Sequence, residues 1–373
     1  MKPFTRDTRA PRLVFGNGAV DQVGAEAERL WAQRVLLICG DALARLRGRV
    51  ELSLGTRLAD TWTEIRQHVP VDLADRAAAK ARELAADLVV TVGGGSTTGL
   101  GKAVALRTGL PLLAVPTTYA GSEMTTIWGQ SADGAKTTGR NPLVLPRTVV
   151  YDPSLLLGLP PAVVGPSGMN ALAHCAEAMY APQADPLSTL IAVEGARLLI
   201  SWLPTAYGRP GQTGPPDSRA CAQVLWASCL AGHALNTAGS SLHHALCHLL
   251  GGRHDLPHAE THGVVLPHVL RFVLPACADH LAPLADALDT PVEQLPQQVW
   301  DLGRKVGTPV GLRSLGLGEA SLPGIATALI AKHPPSPRPL TTDDAYELLR
   351  ACWSGEPPDA PASLTPPGHL GVV

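Results

Sequence analysis

The stretch DLVVTVGGGSTTGLGKAVAL, Asp87 to Leu106, constrains this chain more than any other. A compact apolar run stops at Gly93, Gly94 and Gly95, and a run of helical composition follows at once. Continuous apolar runs, without alternation, mark strands buried on both faces of a parallel sheet. The pattern recurs in RVLLICGD (Arg34 to Asp41), LPLLAVPTT (Leu110 to Thr118) and PRTVVYDP (Pro146 to Pro153), and DLADRAAAKARELAA just before Asp87 reads as a helix. Strands alternating with helices predict an α/β domain with a parallel sheet and a dinucleotide-binding plan, over residues 1–158.

The grammar then changes. PLSTLIAVEGARLLISWLP and DSRACAQVLWASCLAGHAL carry apolar residues at helical spacing between Pro/Gly-rich joints. Residues 159–353 are therefore expected to form an all-α domain, with the active site in the cleft between the two. Residues 354–373, rich in proline and without periodicity, read as a loose tail. The 373 residues suffice for two domains, and 45% apolar against 17% charged residues suits a globular protein. A net charge of −2 leaves no footprint for nucleic acid or an anionic membrane. No signal-peptide core and no uninterrupted apolar run of membrane-spanning length is evident. Seven scattered cysteines without a CxxC pair read as reduced thiols. A cytoplasmic enzyme is the expectation.

The glycine turn admits two readings, a phosphate cradle or a plain tight turn. In the first, backbone amides at Gly93, Gly94, Gly95 and Ser96 approach a phosphate at the start of a helix. The standard dinucleotide fingerprint is incomplete, because Thr98 stands at its third glycine position. Two features favour a nucleotide. Asp41 closes an earlier strand, where a carboxylate can bond ribose hydroxyls, and PTTYAGSEMT places Thr117, Thr118, Tyr119 and Ser122 after another strand end.

Six of the 13 histidines fall between His243 and His262. His244 and His248 are four apart, as are His258 and His262, and as are Asn170 and His174 upstream. On a helix that spacing places both side chains on one face. His174, His244 and His258 would serve a divalent metal well if a carboxylate completed the set, but the residue four before His174 is Asn170. The plain alternative is that several of these imidazoles satisfy backbone carbonyls between packed helices.

From about Arg12 to Cys352 the chain resembles the iron-containing alcohol dehydrogenase superfamily and, within it, the maleylacetate reductases. The resemblance is carried by VGGGSTTGLGKA, PTTYAGSEMTTIWG, KTTGRNPLVLPRTVVYDP, SGMNALAHCAEAMY, LHHALCHLLGG and DLPHAETH, in that order. It implies reduction of the C=C bond of maleylacetate, or a related oxo-enedioate, to 3-oxoadipate with NADH, possibly NADPH. In the metal-dependent branch an aspartate stands where this chain has Asn170, and the other ligand positions fall on His174, His244 and His258. The asparagine implies a vestigial site and no essential metal. The proton-handling pair is then His244 and His248, with Asn170, His174 and His258 shaping the pocket. Lys136 is expected at the nucleotide, and Arg140 and Arg253 become candidates for the substrate carboxylates. The relatives imply a homodimer.

Two positions depart from the pattern: Ala245 stands where a lysine is expected, and Arg253-His254 where a small polar and an aromatic residue are expected. They leave room for a biosynthetic homologue acting on another keto or enoic acid. The same two-part plan would also suit a metal-dependent alcohol or aldehyde oxidoreductase, a lyase of the dehydroquinate synthase type, or a catalytically silent scaffold.

Overall fold

The computed structural model describes residues 4–6, 10–132, 135–208 and 216–358. Its first part is a six-stranded parallel sheet: β1 (Arg12–Phe15), β2 (Val35–Ile38), β3 (Leu58–Trp62), β4 (Leu88–Gly93), β5 (Leu112–Pro116) and, after an intervening hairpin, β8 (Thr148–Tyr151). The hairpin is the antiparallel pair β6 (Ile127–Ala132) and β7 (Ala135–Arg140). Strand order in the sheet is β1-β8-β5-β4-β2-β3. Side chains alternate between two apolar layers, as the period of a strand demands. Leu37, Val90 and Val115 face α1 (Val23–Arg29) and α2 (Ala44–Leu54), while Leu36, Val89 and Leu112 face α3 (Val71–Glu83) and α4 (Gly95–Thr108). After β2 the chain continues to β3 on one side and then returns to β4 on the other, so the switch point lies between the carboxyl ends of β2 and β4. Open α/β sheets bind ligands at such a point.

From Pro161 onward the chain is helical: α5 (Pro161–Tyr180), α6 (Pro186–Tyr207), α7 (Ser218–Ala238), α8 (Leu242–His254), α9 (His258–Ala287), α10 (Leu295–Lys305), α11 (Leu322–Ala331) and α12 (Thr342–Ser354). Asp185 opens α6 through a capping box with Ser188, and Arg6 pairs with the same carboxylate at 2.8 Å. That tie anchors the N-terminal arm to the helical part. In α9, Cys277 leaves helical geometry at φ −141°, two residues after Pro275, whose ring cannot continue the hydrogen-bond ladder. Neither α6 nor α9 is an uninterrupted apolar run, though each is long and apolar enough on average to cross a membrane. Both pack into the helical core, where α5, α7 and α10 are their neighbours. All seven cysteines are free and buried.

The four strands expected from apolar runs are β2, β4, β5 and β8. The edge strands β1 and β3 and the hairpin escape that reading because they are only partly buried and carry mixed residues. The tail's residues 359–373 lie outside the described residues.

Candidate active site

A cleft of about 680 Å³ runs between the carboxyl ends of the strands and the helices from α5 onward. Its floor is the glycine turn. Gly93 sits at φ +156°, and a Cβ there would lie 2.3 Å from Thr97 Oγ1, so only glycine fits. Gly94, Gly95 and Ser96 line the cleft at the start of α4, where no side chain caps the first amides. Unpaired helix N-terminal N–H groups beside an open glycine turn suit a phosphate. Gly93 itself stays in the strand, its carbonyl accepting from Thr117 N at 3.0 Å.

The segment after β5 contributes selectively. Thr118 and Ser122 line the cleft. Thr117 and Tyr119 turn into the protein, with Tyr119 fully buried against Cys221 and its hydroxyl pKa driven up by burial. Lys102, buried in α4, donates to the carbonyls of Ser122, Thr125 and Ile127 at 2.6–2.8 Å and to Thr125 Oγ1 at 2.9 Å. Burial lowers its pKa to about 7. It pins the entry to the hairpin and has no donor left for a ligand.

Three of the residues expected to bind cofactor or substrate fall elsewhere or are engaged. Asp41 lies outside the cleft wall, mostly exposed and paired with Arg47 at 2.7 Å. Arg253 is exposed in the last turn of α8 and does not reach the cleft. Arg140 lines it, but its guanidinium also donates to the carbonyls of Asn236 (2.7 Å) and Leu235 (3.3 Å) at the C-terminus of α7. Lys136 lines the cleft with no carboxylate paired to it among the described residues, and burial holds its ammonium below the usual lysine range.

The histidines form one nest. His174 and His244 stack at 5.1 Å between ring centroids, His244 and His248 lie 5.9 Å apart, and His248 stacks on His258 at 6.2 Å. Behind them His243 Nε2 meets His262 Nδ1 at 2.9 Å. Burial, and then mutual repulsion, drives His174, His243 and His262 well below the usual imidazole range. His248 and His258 move the same way, with the Lys136 ammonium the next cause after burial.

The residue that orders this nest is Glu177, which sequence reasoning missed. Fully buried, it accepts from the backbone N–H of His243 at 2.8 Å and of His244 at 3.4 Å, so it caps α8 from α5. Its other oxygen is bonded to His244 Nδ1. A carboxylate there holds the tautomer with Nδ1–H, leaving His244 Nε2 buried, unpartnered and at the cleft. The signal was present: Asn170, His174 and Glu177 are spaced four and three apart, one face of α5.

The sequence profile of the iron-containing alcohol dehydrogenases matches residues 10–153, and that of the C-terminal part of the same family matches residues 165–353. Maleylacetate reductase 2 of Cupriavidus pinatubonensis (strain JMP 134 / LMG 1197) is 45% identical over 348 residues, covering 93% of this chain and 96% of its own. The maleylacetate reductase of Burkholderia cepacia is 42% identical over 359 residues, covering 96% and 100%. The crystal structure of maleylacetate reductase from Agrobacterium tumefaciens superposes with a TM-score of 0.88 at 40% identity, covering 96% of this chain and all of that one. This chain belongs to the iron-containing alcohol dehydrogenase family. It is an oxidoreductase, and the family depends on NAD(P).

The family's name raises the question of iron. The donors at the family's ligand positions, Asn170, His174, His244 and His258, are all neutral groups. The carboxylate nearest to them, Glu177, is engaged by His244. Among the described residues, the only His/Cys/Asp/Glu group whose ligating atoms converge within 4.8 Å is His243, Cys247 and His262, a different set. Asn170 thus leaves this set of three imidazoles and an amide without an anionic ligand.

Proposed function

We propose that this oxidoreductase reduces the C=C bond of maleylacetate to 3-oxoadipate, using NADH or NADPH and no essential metal. Support comes from relatives at 41–45% identity that are named for that reaction. The single structural observation that carries the reading is the Glu177–His244 pair, with His244 Nε2 unpartnered at the cleft beside Asn170, whose Oδ1 is likewise unpartnered. Such a site handles protons where its metal-dependent relatives use a Lewis acid.

A nicotinamide held here would supply a hydride to the carbon β to the ketone, leaving an enolate that takes one proton. Gly94, Gly95 and Ser96, at the uncapped start of α4, would hold its pyrophosphate. The four-oxygen anchor of Lys102 keeps Ser122 and Thr125 in place beside it. His244 and His248 donate to the developing enolate oxygen and return the proton to carbon. A proton on His244 Nε2 makes an imidazolium facing the Glu177 carboxylate. No other carboxylate among the described residues is bonded to the nest. His174 and His258, held neutral by burial, close the pocket around it. Lys136 and Arg140 put positive charge on the hairpin wall, for the nucleotide and for a dicarboxylate.

Asp41, outside the cleft wall and paired with Arg47, is not assigned a part in choosing between NADH and NADPH in this reading. The assembled state in this reading is a homodimer. Leu13 and Phe15 are exposed on the edge strand β1, with Trp226 against Phe15 at 6.0 Å.

The test is oxidation of NADH and NADPH with maleylacetate, using protein treated with a strong chelator. Turnover with at least one of them, unchanged by added iron or zinc, is the expected result. Activity that appears only with metal would sink the metal-free reading. No turnover with or without metal would move the enzyme to another substrate.

A further inference from the structure

Three chain segments meet at the mouth of the cleft: the loop of residues 67–70 before α3, the hairpin β6–β7, and the turn of residues 255–257 between α8 and α9. The helices α4 and α8 press on them closely: a Cβ on Gly99 in α4 would stand 2.9 Å from Val69 Cγ2, and one on Gly251 in α8 would stand 3.3 Å from His68 Cε1. One on Gly252 would stand 3.0 Å from Lys136 Cβ. Ser131 N donates to Val69 O at 3.2 Å, tying the loop to the hairpin.

The same place concentrates backbone strain. His68 (φ 58°), Val69 (φ 48°) and Asp255 (φ 51°) all occupy the left-handed region, which a β-branched residue such as valine very rarely enters. Strained residues persist only where the surroundings over-determine them, and they gather at working sites. Here the surroundings are the opposite side of the cleft. The His68 side chain is 8% exposed and packs against α8 at Gly251, and its Nε2, buried and without a hydrogen-bond partner, lies 3.5 Å from Asp255 Oδ1. Two residues later His258 begins α9, and one turn before Gly252 stands His248.

We propose that His68 is a positioning residue of this active site: packed across the cleft against the end of α8 and the turn that follows, it sets where His258 and His248 stand. The proposal rests on the reading that these two histidines act in the reaction. His68 belongs to the α/β part and reports its position directly to the helices that carry the proton chemistry. A displacement of about 1 Å at such groups lowers turnover by an order of magnitude or more.

The test uses the full chain carrying His68→Asn. Asparagine enters the left-handed region readily, so the backbone is kept and only the reach of the ring is lost. Hydrogen exchange at the amides of residues 255–262 is read in the free protein, and kcat and the KM for NADH are read with maleylacetate. Faster exchange, a kcat about tenfold lower and a KM for NADH within twofold are expected. Unchanged exchange together with unchanged kcat overturns the proposal. So does a weakened NADH KM with kcat intact, which would assign the loop to the cofactor. Should the asparagine variant not fold, His68→Gly reads the same quantities with the strain removed. If the unaltered enzyme does not turn over maleylacetate, the substrate reading fails by itself, and the exchange result alone decides whether His68 holds the turn in place.

Discussion

At the scale of single residues, Glu177 separates His244 from five other buried imidazoles of similar surroundings. Replacing it by glutamine keeps the volume but offers no negative charge to an imidazolium. An oriented carboxylate behind a catalytic imidazole is worth about 10²–10⁴-fold in rate. Glu177→Gln should therefore lower kcat by at least about 10²-fold while the KM for NADH stays within threefold; steady-state kinetics against both substrates reads the split. The converse change tests the donor set. Asn170→Asp adds the missing negative group beside His174, His244 and His258, and the variant should retain stoichiometric zinc or iron through gel filtration where the unaltered protein does not. Elemental analysis checks it, and equal metal content in the two proteins would count against a vestigial site.

Among elements, the meeting of the 116–125 segment with α7 does most to hold the cleft's floor against its helical wall. Gly121 turns at φ +72° with its carbonyl against Gly232, where a Cβ would stand 1.9 Å away, a distance no neighbouring movement of a few tenths of an ångström relieves. Gly232→Ala should push the segment off α7 and destabilise the fold by about 1–3 kcal/mol or more, the usual cost of overpacking a tight contact. Urea unfolding measures this, and a change below about 0.5 kcal/mol would show that the two elements separate freely. Because the same segment carries Ser122 and Thr125, both bonded to Lys102, a weakened cofactor affinity should accompany the loss.

For the whole molecule, the buried histidines make stability depend on acid. His268 in α9 is pushed down by burial to about 4, against about 6.5 when unfolded. Between those values the unfolded chain binds more protons, so stability is present above pH 6.5 and is lost as pH falls towards 4. The loss from His268 alone is about 3 kcal/mol by linkage. The nest around His174 and His262 shifts in the same direction and adds to it. Urea midpoints should decline steadily from pH 6.5 to pH 4, and His268→Leu should flatten part of that slope. A flat profile over this window would mean that these imidazoles are solvated.

Local pattern was enough for the sheet's inner strands, the change to helices, the glycine turn and the imidazoles at helical spacing, because each is written in residues close along the chain. Runs such as LVVTV and spacings such as His244 to His248 state their own burial and facing. Asp41, Tyr119 and Arg253 do not line the cleft, because proximity in sequence to a strand end or to a histidine does not say which way a side chain points. Arg47, Cys221 and solvent decided those. Glu177 and His68 took their places only in three dimensions, one by capping a helix 66 residues away and the other by crossing to a turn at Asp255. Long-range partners are chosen by packing, and one strand of text does not record which of its helices will lie side by side.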